Sequence, residues 1–79
     1  MGFEVHVVVT LPAPPNEATM YAIDHQFESA THAAGSKIVN IEEHVSMSDE
    51  ADALAFVRSL VLDALPPRST ITTITATSD

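Results

Sequence analysis

The chain has no cysteine and no tryptophan, and only two glycines and three basic residues among its 79 positions. Without cysteine there can be no disulfide, no thiolate nucleophile and no thiolate metal ligand. Two glycines cannot build a glycine-rich nucleotide loop, and Gly35-Ser36-Lys37 lacks the upstream glycines with which a P-loop surrounds phosphate. No Gly-x-Ser-x-Gly elbow occurs either. Lys37, Arg58 and Arg68 stand against eleven acidic residues, for a net charge of −8, and nowhere form a basic patch. Phosphate backbones and anionic bilayers are held by clustered Lys and Arg, so direct nucleic-acid binding and membrane association are not expected. The longest aliphatic run, Val7-Val8-Val9, is far below the roughly 20 residues of a membrane span. No charged start followed by an apolar block suggests a signal peptide. Met1-Gly2 is not followed by a myristoylation pattern, because His6 stands where Ser or Thr is required. The expected location is cytoplasmic. A single lysine amid much Ala, Val and Thr points to coding DNA rich in G and C, as in an actinobacterium or one of its phages.

What is present is enough for one small domain, 1–79. Apolar residues make up 46% of the chain, a globular proportion. A domain this short buries only about 60% of its unfolded surface, so its core is thin and oligomerisation is a common remedy. Residues 3–11 are β-branched and partly alternating, with Phe3, Val5, Val7 and Val9 on one face and Glu4, His6, Val8 and Thr10 on the other. Pro12-Ala13-Pro14-Pro15 ends that strand. Asn16 offers an N-cap to a helix over 17–34, whose apolar positions Met20, Ile23, Phe27, Ala30 and Ala34 follow steps of three and four. Gly35 then fits a helix C-terminus. A second strand over 37–47 places Ile38, Asn40, Glu42, His44 and Ser46 on a polar face, and Glu43 interrupts its apolar one. Ser48 is placed to cap a second helix, which Pro66-Pro67 ends, and 69–77 reads as a final strand by its β-branched content. The expected fold is an α/β two-layer sandwich, β-α-β-α-β, with three strands, two parallel crossovers and both helices on one face. A ferredoxin-like arrangement is the alternative, and it requires a fourth strand.

Two copies of Glu-x-His-Val stand out: Glu4 with His6, and Glu42 with His44. In a strand each Glu shares a face with its His. Two carboxylates and two imidazoles are a candidate site for zinc or another divalent ion, or for acid–base chemistry. A parallel pairing that starts Phe3 level with Ser36 would keep His6 and His44 roughly 13–16 Å apart, too far for one ion. An antiparallel pairing or a second copy would close that distance. An ordinary polar sheet face ranks ahead of the metal reading.

Along the first helix Tyr21, His25, Glu28 and His32 recur at steps of four, three and four, away from the apolar stripe, and form a candidate partner-binding row. The last strand carries no charge from Ser69 to Ser78. At a sheet edge Ile71, Thr73, Ile74 and Thr75 would invite pairing with another chain, with Arg68 and Asp79 as flanking charges. In a regular strand Ile71 and Ile74 face opposite ways. Three functions survive. The first is a small acidic interaction protein that self-associates and binds another protein. The second is a metal-binding or His-dependent enzyme at the Glu-x-His face. The third is an acidic nucleic-acid mimic using Glu42, Glu43, Asp49 and Glu50. The first is preferred, and an enzyme is not expected.

Overall fold

The computed structural model describes residues 2–78. Its elements are β1 (Phe3–Thr10), α1 (Glu17–Gln26), β2 (Ser29–His32), β3 (Ile38–Val45), α2 (Glu50–Ala64) and β4 (Thr70–Ser78). The sheet runs in the order β2-β3-β1-β4, and every neighbouring pair is antiparallel. The expected three strands are therefore corrected to four, and the two crossovers, β1-α1-β2 and β3-α2-β4, each join parallel strands that are not neighbours in the sheet. Each β-α-β unit is split by an intervening strand, which is the ferredoxin-like arrangement. Among the described residues no helix is long and apolar enough to cross a membrane.

The missing strand lies inside the segment whose spacing predicts a helix to residue 34. Asn16 caps α1 as expected, its Oδ1 accepting from the Thr19 N–H at 2.8 Å. The helix stops eight residues early, where Phe27 turns extended at φ −127°, ψ 165°. Two carboxylates take amides that a longer helix would need. Glu43 Oε1 accepts from the Glu28 N–H at 3.1 Å, and Asp24 Oδ1 accepts from the Ala30 N–H at 3.3 Å. That gives the interruption at Glu43 a purpose: it holds the α1–β2 corner from the neighbouring strand. Phe27 and Ala30 still reach the core, from an extended segment rather than a helical stripe. Gly35 serves the β2–β3 hairpin instead of a helix end. Its φ is +76°, and the Ser36 N–H closes the turn onto the Ala33 carbonyl at 3.0 Å.

Both helices cover one face. Val5, Val7, Val9, Val39 and Ile41 of the sheet are fully enclosed with Ile23 of α1 and with Ala53, Val57 and Val61 of α2. The cap of α2 is Asp49 rather than Ser48, its Oδ1 accepting from the Ala51 N–H at 2.8 Å. In β4 a register shift opposite Val8 and Val9 reverses the expected orientation of the isoleucines. The extra residue lets Ile71 and Ile74 both pack on the core, and leaves Thr72 on the open side with its Oγ1 3.0 Å from that of Thr10.

Ahead of β4, Arg68 holds φ +73°. The turn is closed by the Ser69 N–H on the Pro66 carbonyl at 3.3 Å. Proline at its second position and positive φ at its third are the signature of a type II turn, which wants glycine where Arg68 stands. A left-handed non-glycine residue costs roughly 1–2 kcal/mol, and glycine returns roughly half of that through a freer unfolded chain. Arg68→Gly should therefore raise the melting temperature by about 2–6 °C. A thermal melt showing no rise would mean that Arg68 makes compensating contacts.

Candidate interaction surface

The four strands leave one face uncovered by helix. Strand alternation places Glu4, His6, Val8 and Thr10 there from β1, and Ile38, Asn40, Glu42 and His44 from β3. Ser29 and Thr31 extend it on β2, and Thr73, Thr75 and Thr77 on β4. Glu4 and Glu42 are its only acidic residues among the described ones, and it carries no Lys or Arg. The other acids among the described residues lie in the helices, the turns and the other side of the sheet. This face accordingly holds, among the described residues, only two of the chain's eleven acidic residues.

Its centre answers the question that the two Glu-x-His-Val copies raise. Glu4 lies directly opposite His44, and His6 directly opposite Glu42. The antiparallel register overturns the separation of roughly 13–16 Å that a parallel pairing implied. Facing side chains in such a pair have Cβ atoms about 4.5–5.5 Å apart. Each imidazole has a carboxylate across the strand and another two residues along its own. The four groups form a checkerboard on the two central strands. His6, Glu42 and His44 are exposed, and Glu4 is half-buried. Among the described residues no three His, Asp or Glu side chains converge as a ready-made metal site.

Close packing fixes one corner of the board. Gly2 is buried, and a Cβ built on it would lie 2.5 Å from the Val45 carbonyl oxygen and 3.0 Å from His44 Nε2. The missing side chain is what lets the first strand's leading end lie against the His44 ring.

The other candidate residues are dispersed. Tyr21 and His25 remain neighbours on exposed α1, their rings meeting edge to face at 4.3 Å and 71°. Glu28 falls in the corner after the helix. His32 falls on β2 opposite Val39, on the helix-bearing side of the sheet. The row Tyr21, His25, Glu28, His32 is therefore not one helical stripe, because α1 ends at Gln26. Of the four acids considered for nucleic-acid mimicry, Glu42 lies on the open face and Glu43 on the opposite one. Asp49 caps α2 and Glu50 begins it. Ile71 and Ile74 are half-buried in the core, whereas Thr73 and Thr75 are exposed on the open face of edge strand β4. Asp79, the second flanking charge of that strand, lies outside the described residues.

A shallow open cleft of ≈ 410 Å³ separates the start of α1 from the end of α2. Small and apolar side chains, chiefly Ala18, Ala22, Ala64 and Leu65, line it, and no titratable group does. Its polar side chains are Asn16 and Thr19, with no carboxylate, imidazole or amine beside them. No protein-family model matches this chain, and no curated protein or solved structure shows significant similarity to it.

Proposed function

We propose that this chain is a small protein-interaction domain that self-associates by adding the β4 strand of a second copy to its own. The observation that carries this reading is the β4 edge. It is nine residues long, bears no charge from Thr70 to Ser78, and has a sheet neighbour on one side alone among the described residues. Exposed edges are normally blunted by charges, proline, bulges or brevity. The opposite edge, β2, is only four residues long. β4 has a single bulge near its start, and the stretch from Ile74 onward pairs regularly with β1. Two copies related by a two-fold axis would pair antiparallel and continue into one eight-stranded sheet. The thin core expected at this length supports such an arrangement.

The absence of native cysteine makes the test clean. Thr73→Cys, Thr75→Cys and Thr77→Cys are oxidised separately, with Gln26→Cys on exposed α1 as the control. In the proposed pair at least one β4 position lies near its own copy across the axis. That variant should give a disulfide-linked dimer at least about tenfold faster than the control, since cross-strand Cβ distances approach those of a disulfide. Equal rates at all four positions would rule out β4 pairing.

A further inference from the structure

The open face has a property that an ordinary polar surface lacks: it is complementary to itself. We propose that a second copy of this chain docks on it face to face, with the Glu–His checkerboards in register. Let the two-fold axis run along the strands, between β1 and β3. Rotation about it lays β1 of one copy over β3 of the other at the same level. Because Glu4 is paired with His44 and His6 with Glu42, each glutamate then lies over an imidazole of the second copy. Val8 lies over the second copy's Asn40, and Thr10 over its Ile38, the one large apolar side chain well exposed on this face. Packed sheets lie about 10 Å apart with strands roughly aligned, which lets side chains of this length meet.

Charge selects the occupant. Two molecules of net charge −8 repel each other, and a face that holds only two of the eleven acids, each paired with an imidazole, lowers that repulsion. When both histidines carry a proton, the checkerboard is neutral and alternating, so it attracts its own copy while offering little to a strongly basic or acidic partner. The groups around the two imidazoles are Glu4 and Glu42 within the sheet, Ser29 from β2, and Thr75 and Thr77 from β4; α1 and α2 lie on the other side. Strands of 4, 8, 8 and 9 residues spaced about 4.8 Å apart make a face of about 450 Å² in plan. A standard interface buries about 800 Å² per partner. A weak, reversible dimer follows. This contact is independent of β4 pairing, and the two can coexist in one assembly.

Sedimentation velocity on the full chain tests it, with folding followed in parallel by circular dichroism. His6→Glu leaves two glutamates where the board needs one, and Glu42→His leaves two histidines. Each variant alone should associate at least about tenfold more weakly than wild type at about pH 6. An equimolar mixture of the two should associate again, because the glutamate-rich face of one variant and the histidine-rich face of the other complement each other only between molecules. The double variant His6→Glu/Glu42→His restores the alternation within one chain and should behave as wild type, which covers the case in which a single variant folds poorly. A folded mixture that stays as weakly associated as its components would overturn the proposal. Cysteine crosslinking at β4 should persist in His6→Glu, so that the two contacts fail or hold separately.

Discussion

Phe27→Ala should cost about 3–5 kcal/mol of folding free energy, the usual penalty for emptying a buried aromatic site. A chain of this length has only about 4–12 kcal/mol in total. Phe27 is 6% exposed and ends α1, and it packs in the core with Ile23 and the central strands. Its loss removes the anchor from which the chain turns out of the helix and into β2. Urea unfolding should show the midpoint falling by about a quarter or more. A loss below about 1 kcal/mol would mean that Phe27 is not enclosed.

Gly2→Ala should destabilise the fold by about 1–3 kcal/mol, although it only adds a methyl group. The new Cβ would meet the Val45 carbonyl oxygen at 2.5 Å and His44 Nε2 at 3.0 Å. A carbonyl within a strand ladder cannot yield as a flexible side-chain tip can. The chain preceding β1 must lift away, and the His44 ring must move with it. Thermal melting should fall by about 4 °C or more. The ring resonances of His44 should shift more than those of His6, its diagonal neighbour on the board. Unchanged melting together with unchanged His44 resonances would contradict the close approach of Gly2.

How much of this was legible in the sequence depends on which physical signal carries each feature. The period of two in Phe3–Thr10 and Ile38–Val45 assigns residues to faces regardless of strand direction. The polar face with Glu4, His6, Glu42 and His44 is therefore readable from the residues alone. Their partnership is not, because parallel and antiparallel pairings share the same alternation and differ only in register. Strand order settled that, and strand order turned on β2. Steps of three and four through Phe27 and Ala30 suit a helix, yet both side chains also reach the core from an extended corner. Gly35 supplies positive φ equally well to a helix end or to a hairpin turn. The deciding contacts come from Glu43, 15 positions beyond the amide it binds, and from Asp24, six positions before its own. The first lies beyond the reach of any local window. The second is local and competes with ordinary helical bonding. The β4 bulge is a similar case, since nothing in Thr-Ile-Thr-Thr-Ile-Thr marks which threonine is the extra one.

Everything proposed for the open face rests on Glu4 facing His44 and His6 facing Glu42. Cross-strand nuclear Overhauser contacts on isotopically labelled protein measure this most directly. The account predicts backbone contacts linking residue 4 to 44 and 6 to 42, continuing to 8 with 40 and 10 with 38. Contacts that instead join the start of β1 to the segment around Ser36 and Lys37, with the numbers rising together, would contradict it. The checkerboard would then not exist.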